Sequence, residues 1–261
     1  MPKFAANLSM MFNEVPFLDR FAAAADAGFK AVEYLFPYEH APETIAKKLD
    51  ENHLENVLFN MPPGNWTAGD RGTASIPGRE IEFRESVAKA LSYAKVLGVR
   101  RVHAMAGIRP ADADPAHCRA TLIENLKYAA GELAAHGITL LLEAINTRDM
   151  PGFFISTQAD SFAVCSAVNV PNIKMHMDCY HMQVMEGDLA TKLRRYARYC
   201  GHVQVASAPD RHEPDTGEVR YEYIFRVLDE IGYDGWVGCE YRPANKTLDG
   251  LGWFRRLTAT A

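Results

Sequence analysis

Four side chains that carry oxygen atoms end four apolar segments in the second half of the chain. They are Glu143, Asp178, Gln204 and Glu240, and they are separated by 35, 26 and 36 residues. Each separation is close to one strand–helix unit, which would bring the four groups to neighbouring strands. A carboxylate at the end of a buried strand costs several kcal/mol of desolvation if it stays unpaired. The four residues are therefore candidates for shared chemistry at one point.

These oxygen atoms predict a site for a divalent cation. Three carboxylates held within a few ångström repel one another and raise each other's pKa unless a cation lies among them. The set contains no imidazole or thiolate, which favours Mg²⁺ or Mn²⁺ over zinc or copper. For any one residue a structural ion pair is the alternative, and the backbone alone could satisfy the amide of Gln204. The recurrence on four consecutive units favours the metal site.

His181 follows one of the predicted ligands closely. It stands three residues after Asp178, and we expect it on a loop above the metal, where it could reach a hydroxyl or carbonyl of a substrate. A capping or hydrogen-bonded histidine is the alternative. Glu33 and His103 also end apolar segments, and we assign them to the pocket wall or to the residues behind the ligands rather than to the metal.

A polar segment at residues 209–214 follows the strand predicted to carry Gln204, and it contains Arg211. The planar guanidinium of an arginine suits a carboxylate, so we predict that Arg211 binds the acid group of a substrate. An exposed arginine that pairs with Asp210 or Glu213 is the alternative.

The segment between residues 60 and 79 is about twenty residues long and has neither helical nor strand periodicity. Compact domains seldom contain a loop of this length unless it covers a site. We interpret it as a lid whose Trp66 and Arg71 exclude water and contact the substrate. A loop packed in one position, or a contact between subunits, would explain the same residues.

Short apolar segments alternate with longer segments of helical period along the whole chain, without a Ser/Gly-rich linker. The predicted strands are residues 4–8, 31–35, 54–59, 101–105, 139–144, 173–178, 202–206 and 236–241. The predicted helices are residues 16–27, 42–52, 79–97, 115–136, 157–168, 189–200, 221–231 and 247–256. Eight such units in 261 residues average about 33 residues each, which is typical of βαβ crossovers.

A glycine recurs where a predicted helix gives way to a strand, at Gly28, Gly98, Gly137 and Gly232. Glycine there can adopt the left-handed conformation that ends a helix. Eight units favour a closed (β/α)₈ TIM barrel, because an open doubly wound sheet normally has fewer strands and a Gly-x-Gly-x-x-Gly loop, which this sequence lacks. We predict a single α/β barrel domain over residues 1–261, with its site at the carboxyl ends of the strands.

Charge and composition exclude several classes of function. The net charge is −5, and no run of Lys and Arg would neutralise several phosphates, so we expect no nucleic-acid partner. The five cysteines are scattered and form no Cys-x-x-Cys pair, which suits reduced thiols in the cytoplasm. No secretory or membrane-spanning segment is visible, so we expect no membrane partner either.

Six segments of the chain are specific in combination. They are residues 4–10 (FAANLSM), 32–38 (VEYLFPY), 76–80 (IPGRE), 142–146 (LEAIN), 178–183 (DCYHMQ) and 235–241 (GWVGCEY). Together they resemble the hydroxypyruvate isomerase family, which belongs to the xylose-isomerase-like TIM barrels. The likeness covers nearly the whole chain, and it implies the barrel fold that the alternation of elements predicts.

The resemblance implies that Glu143, Asp178, Gln204 and Glu240 hold the metal and that Glu143 and Glu240 also form the proton-transferring pair. Related ketose epimerases usually have a histidine where this chain has Gln204. Such a pair would move a proton between adjacent carbons of a small hydroxy-keto acid, while a metal stabilises the enediolate. The side chains predicted above to bind substrate would orient it.

Two substrate groups compete within the family. One consists of hydroxypyruvate and tartronate semialdehyde, and the other consists of 2-oxo-tetronates, which are four-carbon acids. Residues 63–69 (PGNWTAG) resemble the enzymes of the first group, and residues 207–215 (SAPDRHEPD) resemble those of the second. We predict hydroxypyruvate isomerase activity, with 2-oxo-tetronate isomerase activity as the alternative.

Three further functions stay as alternatives. A ketose 3-epimerase would use the same residues on a free sugar. A metal-dependent apurinic-site endonuclease shares the barrel, but the nine dispersed histidines and the negative charge do not favour its zinc centre and basic face. A non-catalytic sugar-acid binding protein would bind the same ligands without turnover. Barrels of this kind often associate, so a homo-oligomer is possible.

Overall fold

Eight parallel strands close into a barrel in the computed structural model, which describes residues 2–258. The strands follow one another around the ring in chain order. They are β1 (Lys3–Asn7), β2 (Ala31–Tyr34), β3 (Glu55–Asn60), β4 (Arg101–His103), β5 (Thr139–Glu143), β6 (Ile173–Asp178), β7 (Cys200–Val205) and β8 (Trp236–Cys239). The predicted single (β/α)₈ TIM barrel is confirmed. Residue 1 and residues 259–261 lie outside the described part of the chain.

The strands are nearly continuous runs of buried residues, because helices cover the outside of the barrel and side chains fill its inside. In β5 the side chains of Leu140, Leu141 and Leu142 are fully buried, and Glu143 at the carboxyl end is 4 % exposed. In the same way, β6 ends in the buried Asp178. The two acids that end these strands therefore lie in a setting that is otherwise apolar.

Helices connect the strands on the outside. In residues 2–258 they are α1 (Arg20–Asp26), α2 (Pro42–Glu51), α3 (Glu80–Leu97), α4 (Pro115–Ala134), α5 (Gln158–Val168), α6 (Cys179–Met185), α7 (Leu189–Tyr196), α8 (Tyr221–Glu230), α9 (Thr247–Gly250) and α10 (Gly252–Thr258). Their apolar faces pack on the barrel, as Leu122 and Leu126 of α4 do. Among these helices none combines the length and the apolar character needed to cross a membrane.

The glycines at the predicted junctions have the conformation that their position requires. The φ angles of Gly28, Gly98, Gly137 and Gly232 are +100°, +67°, +65° and +70°. Residues with a side chain rarely adopt this left-handed region. The glycines let the chain turn from a helix towards the next strand, so the predicted role of this repeat is confirmed.

One predicted loop is a helix. The sequence placed His181 on a loop, but it lies in the first turn of α6, so that prediction is wrong. The helix begins at Cys179 because Asp178 caps it: Oδ1 of Asp178 accepts a hydrogen bond from the backbone N–H of Tyr180 at 2.6 Å. The strand end that supplies a predicted ligand is therefore also the start of the helix that carries the histidine.

Smaller differences concern two other predicted helices. The helix predicted at 189–200 ends as α7 at Tyr196, and a 3₁₀ turn leads into β7, which already begins at Cys200. The helix predicted at 247–256 is divided into α9 and α10, with Leu251 between them. Neither difference moves a predicted site residue.

The two ends of the chain close the ring. β1 pairs with β8, with Phe4 opposite Val237. The ring centroid of Trp253, in α10, lies 5.1 Å from that of Phe4, and the ring of Phe254 stacks on Phe29 at 4.2 Å. The last helix therefore packs aromatic rings against the first strand.

Candidate active site

The predicted ligands meet at the carboxyl edge of the barrel. Glu143 ends β5, Asp178 ends β6, Gln204 lies in β7 and Glu240 directly follows β8. Ligand atoms of Glu143, Asp178, Glu240 and His181 all lie within 4.8 Å of one another. Gln204 is opposite Asp178 in the strand register. The structure thus brings the four residues and His181 to one place, while their roles stay predictions.

Unsatisfied oxygen atoms in this cluster fit a divalent cation. Oε1 of Glu143, Oδ2 of Asp178 and Oε1 of Gln204 are buried and have no hydrogen-bond partner among the described residues. Leaving a buried polar atom unsatisfied costs about 1–3 kcal/mol, and more for a charged group. A hard cation bound by carboxylate and amide oxygens would satisfy all three. With Glu240, this donor set suits Mg²⁺ or Mn²⁺.

Glu33 fixes the orientation of Gln204. Nε2 of Gln204 donates a hydrogen bond to Oε1 of Glu33 at 2.6 Å, so the amide oxygen of Gln204 faces away from Glu33. The Glu33 carboxylate also pairs with Nδ2 of Asn7 at 3.0 Å and Nε2 of His202 at 2.7 Å. Gly238 leaves space for this carboxylate, since a Cβ at position 238 would overlap it. Glu33 therefore lies behind a predicted ligand, where the sequence analysis placed it.

Asn7 connects this network to Glu240. Nδ2 of Asn7 donates to Oε1 of Glu33 and lies 3.3 Å from Oε1 of Glu240. One amide nitrogen can serve two carboxylates because it carries two hydrogens. Oδ1 of Asn7 accepts from the backbone N–H of Ser9 at 3.1 Å, which fixes the amide. Asn7, the last residue of β1, thus holds one oxygen of Glu240.

Arg211 adds a positive charge to the cluster. Its Nη2 donates to Oε2 of Glu240 at 2.5 Å and lies 3.6 Å from Oδ2 of Asp178, while its Nη1 lies 3.6 Å from Oδ2 of Asp149. The guanidinium also lies over the ring of Tyr180, 4.8 Å from the centroid. Burial would lower the pKa of Arg211, but the Glu240 and Asp178 carboxylates raise it. The guanidinium is therefore charged and already paired with acids.

His181 presents one ring nitrogen to the carboxylates. Its Nδ1 accepts a hydrogen bond from Nδ2 of Asn146 at 2.6 Å, which assigns the proton of the neutral ring to Nε2. Nε2 lies 3.7 Å from Oε1 of Glu143 and 3.6 Å from Oδ2 of Asp178. Burial, together with the charge of Arg211, lowers the pKa of His181 well below its ordinary value. The ring is therefore neutral and can donate to an oxygen atom in the cluster.

Burial raises the pKa of all three carboxyl groups. It raises the pKa of Asp178 to about 7, although Arg211 acts in the opposite direction. Burial and the neighbouring charges of Glu240 and Asp178 raise the pKa of Glu143 well above its ordinary value. Burial also raises the pKa of Glu240 against the effect of Arg211. A carboxyl group whose pKa is raised towards neutral pH is suited to general acid–base chemistry.

Three buried histidines lie next to the cluster. The ring centroids of His103 and His176 are 5.4 Å apart, and those of His176 and His202 are 5.1 Å apart. Nδ1 of His103 and Nδ1 of His176 lie 3.7 and 3.9 Å from Oε2 of Glu143. Burial lowers the pKa of all three rings below the ordinary value, and that of His202 to about 3. One oxygen of Glu143 thus faces neutral rings and the other faces the carboxylates.

A cavity at the carboxyl edge reaches these residues. Its polar wall consists of Asn60, Glu143, His176, His181, Arg211, Glu240 and Arg242. Trp66 belongs to its apolar wall, and its ring centroid lies 5.3 Å from that of Phe36. Arg71 is behind Trp66: its guanidinium lies 3.8 Å from the ring centroid and donates to the Trp66 carbonyl. Of the two residues predicted on the lid, Trp66 lines the cavity and Arg71 packs behind Trp66.

An ion pair holds the loop that carries Trp66. Nη1 and Nη2 of Arg79 donate to the two carboxylate oxygens of Asp70 at 2.7 and 2.6 Å. Oδ2 of Asp70 also accepts from the backbone N–H of Asn65 at 2.7 Å. Asp70 therefore joins the middle of the predicted lid to the residue just before α3.

Several polar residues of the site were not predicted from the sequence. Asn7 and Asn60 end β1 and β3, so the rule that selected the acids at strand ends would have selected them too. His176 stands two residues before Asp178 and points to the same side of β6, since side chains alternate along a strand. Arg242 follows the end of β8, and no sequence pattern marks it.

Eight parallel strands with a polar cluster at their carboxyl ends are the arrangement of TIM-barrel enzymes. The chain belongs to the family of xylose isomerase-like TIM barrels, whose family model matches residues 21–257. The resemblance predicted from six sequence segments is confirmed, because the chain has relatives named as hydroxypyruvate isomerase and 2-oxo-tetronate isomerase.

Two of these relatives and one solved structure match almost the whole chain. A 2-oxo-tetronate isomerase from Cupriavidus necator is 58 % identical, and the match covers 98 % of both chains. The hydroxypyruvate isomerase of Escherichia coli is 46 % identical over 97 % of this chain and 98 % of its own length. A Brucella melitensis structure described as an AP endonuclease of family 2 is 54 % identical, with a TM-score of 0.97 and coverage of 98 % and 99 %.

Proposed function

We propose that this protein is an isomerase of short hydroxy-keto acids and that it interconverts hydroxypyruvate and tartronate semialdehyde. The observation that carries the proposal is the buried pair Glu143 and Glu240, which have carboxylate oxygens within 4.8 Å of each other. A proton shift between adjacent carbons needs one group that removes the proton and one that delivers it. The isomerase names of relatives at 58 % and 46 % identity support the same chemistry.

A divalent cation, Mg²⁺ or Mn²⁺, is part of the proposal. Glu143, Asp178, Gln204 and Glu240 would hold it, and three of them have unsatisfied buried oxygens. When bound, the cation supplies charge that stabilises the two oxygens of an enediolate. Gln204 is prepared for this role, because its Nε2 is already bonded to Glu33 and its oxygen is free.

The two glutamates would carry the proton. One removes it from the carbon that bears the hydroxyl group, and the same residue or its partner delivers a proton to the neighbouring carbon. Hydrogen bonds from Asn7 and Arg211 hold the two oxygens of Glu240. Nε2 of His181 would donate to a carbonyl or hydroxyl oxygen of the substrate, and Trp66 would help to exclude water.

A substrate panel tests the proposal. Hydroxypyruvate, a 2-oxo-tetronate and fructose are supplied to the purified protein with Mg²⁺ or Mn²⁺ in D₂O, and NMR follows the products and the deuterium that enters at carbon. We expect conversion of hydroxypyruvate with deuterium at the carbon that receives the proton. Absence of turnover of both acids with either metal would overturn the isomerase proposal, and turnover of fructose alone would favour a ketose epimerase.

The second candidate substrate is a 2-oxo-tetronate. The Cupriavidus necator relative, one of those named 2-oxo-tetronate isomerase, is 58 % identical to this chain, against 46 % for the hydroxypyruvate isomerase of E. coli. Residues 207–215, which include Arg211, also favour it. The ratio of kcat/KM for the two acids decides between them, since the site residues proposed above would serve both.

Cleavage of DNA has less support than isomerisation. A similar structure carries an endonuclease description, but the net charge of this chain is −5, whereas binding to the phosphate backbone depends on Lys and Arg contacts. We expect no cleavage of a duplex that contains an abasic site under conditions that support isomerisation.

We place the protein in the cytoplasm. All five cysteines are free thiols in the structure, and Cys118, Cys165, Cys179 and Cys239 are buried. Reduced cysteines persist in a reducing compartment, whereas secreted proteins tend to pair them. Thiol titration of protein extracted under acid quench should give five thiols per chain.

A further inference from the structure

Arg242 lines the same cavity as Glu240, two residues further along the chain. The intervening Tyr241 is fully buried on the other side, where its hydroxyl accepts a hydrogen bond from Nε1 of Trp253 at 3.4 Å. Side chains alternate in direction along an extended chain. The segment after β8 thus presents both Glu240 and Arg242 to the cavity.

The backbone of Arg242 is held at this position. Its N–H donates to the carbonyl oxygen of Arg211 at 2.8 Å. Its carbonyl oxygen lies 2.8 Å from Nδ1 of His212, which donates to it. The Cα of Arg242 is therefore fixed relative to the loop that carries Arg211, and two extended residues separate it from Glu240 by at most about 7 Å.

The guanidinium of Arg242 differs from the other arginines around the site because it has no partner. Within residues 2–258 its side chain makes no hydrogen bond or ion pair. Arg211 is bonded to Glu240, and Arg71 is stacked on Trp66. An unpaired arginine in a cavity wall is positioned for an anion, because its planar fork matches a carboxylate.

The charges around Arg211 argue against that residue as the partner of a substrate's acid group. Arg211 lies 2.5 Å from a Glu240 oxygen and 3.6 Å from an Asp178 oxygen. A third carboxylate brought to the same guanidinium would be repelled by both acids. Arg242, at the exposed end of the cavity, has no acid paired with it.

We propose that Arg242 binds the carboxylate of the substrate and that this contact selects acids over neutral sugars. The inference rests on the proposed function, because it takes the substrate to be a short hydroxy-keto acid. The acid group would bind at Arg242 near the mouth, and the reacting carbons would extend towards Glu143 and Glu240. A site built around a charged contact discriminates strongly against an analogue that lacks the charged group.

Arg242→Gln tests the proposal against a matched neutral substrate. The acid is hydroxypyruvate, and the neutral analogue is dihydroxyacetone, in which a hydroxymethyl group replaces the carboxylate. We expect KM for hydroxypyruvate to rise ten- to a hundredfold in R242Q with kcat changed less than threefold, and the weak kcat/KM for dihydroxyacetone to stay within twofold. Arg242→Lys should restore part of the affinity, because it keeps the charge and loses the fork.

A matched control and a binding assay separate this proposal from the proposed function. Lys246→Gln removes an exposed charge from the neighbouring groove, which Arg242 also lines, and should leave KM for hydroxypyruvate within twofold. Calorimetry with glycerate and glycerol, which lack the keto group and cannot be isomerised, measures recognition of the acid without turnover. We expect R242Q to lose at least tenfold in affinity for glycerate.

Two outcomes would overturn the role of Arg242. One is a KM for hydroxypyruvate and a Kd for glycerate that both stay within twofold of wild type in R242Q. The other is an equal loss with acid and neutral ligands, which would indicate a structural role. Failure of the proposed function gives a different pattern: the wild-type protein would turn over no hydroxy-keto acid, while the glycerate titration would still report on Arg242.

Discussion

Two buried glutamates at strand ends have opposite surroundings in this barrel. Glu33 of β2 is fully buried, and its carboxylate pairs with Asn7, Gln204 and His202 at 2.6–3.0 Å. Glu143 of β5 is 4 % exposed, and its Oε1 has no hydrogen-bond partner among the described residues. Two glutamates at strand ends of one barrel thus differ in their hydrogen bonds: the carboxylate of Glu33 has its partners, and one oxygen of Glu143 has none in the described part of the chain.

The difference in hydrogen bonding indicates a structural role for Glu33 and a ligand-binding or catalytic role for Glu143. A carboxylate with a full set of donors has little capacity left for a ligand, whereas an unsatisfied one is costly unless a cation or substrate binds. Burial raises the pKa of Glu33 to about 7, while its donors act in the opposite direction. Burial also raises the pKa of Glu143, and there the neighbouring charges of Glu240 and Asp178 act in the same direction as burial. Four predictions test this comparison.

The largest expected effect is on turnover. Glu143→Gln should lower kcat for hydroxypyruvate at least about a thousandfold, because it removes a proton-transferring group. Its melting temperature should not fall, since the change removes one of three mutually repelling acids. Activity assays and thermal unfolding by circular dichroism check both results. Residual activity within tenfold of wild type would contradict the role of Glu143.

Removal of divalent metal should be the next largest effect. Exhaustive chelation should lower kcat at least about a hundredfold, and Mg²⁺ or Mn²⁺ should restore it. Added cation should also stabilise the wild-type fold by about 2.7 kcal/mol at a hundred times its Kd. Gln204→Leu removes one free oxygen and should weaken this stabilisation. Full activity after chelation would show that the carboxylates act without a metal.

Substitution of Glu33 should affect stability more than chemistry. Glu33→Gln replaces one of the two oxygens that face Asn7, Gln204 and His202 by an NH₂ group, which should reduce the free energy of unfolding by about 2–4 kcal/mol. The kcat of the folded variant should stay within about tenfold of wild type. Urea unfolding gives the free energy of unfolding of E33Q and E143Q, and steady-state kinetics gives the kcat of each, so the two variants can be compared. A stable but inactive E33Q would indicate that Glu33 takes part in catalysis and would contradict the difference in role between Glu33 and Glu143.

A smaller effect is expected from pH. Burial raises the pKa of Asp178 to about 7, so the metal-free fold favours the protonated acid. Its contribution to stability is present below about pH 4, the ordinary pKa of an aspartate, and is lost as the pH rises through 7. Metal binding needs the ionised form, so affinity for Mn²⁺ should rise at least about tenfold per pH unit between pH 5.5 and 7. Equal affinity at both values, measured by electron paramagnetic resonance, would contradict this.

The fold and the acids of the site could be predicted from sequence because their signals are local. Each strand is a short apolar run, each glycine ends one helix, and Glu143 or Asp178 stands out where an apolar run ends. The helix α6 was missed because its seven residues are too few for a clear period, and its start depends on the cap by Asp178. Arg242 was not predicted because its position in the cavity wall depends on contacts with residues of another loop, such as Arg211 and His212.

The contacts of Asn7 show the limit of such local signals. Asn7 donates a hydrogen bond to Glu33, and Gln204 donates to the same carboxylate. The contact of Asn7 with Glu240 joins residues that are 233 positions apart in the chain. No pattern within β1 could reveal that partner. The contact exists only because the eighth strand returns to the first, so it follows from the fold rather than from the segment.

Closure of the ring can take place only late in synthesis of the protein, after β8 has been made. β1 leaves the ribosome before the other seven strands. One of its two neighbours in the ring is β8, the last of the eight strands, and the α10 residue Trp253 that packs on Phe4 of β1 follows β8 in the chain. Until those residues emerge, the first strand has an open edge, and the hydrogen bond from Asn7 to Glu240 cannot form. A nascent chain that stops before β8 would therefore lack a closed barrel and one of the two predicted proton-transferring residues.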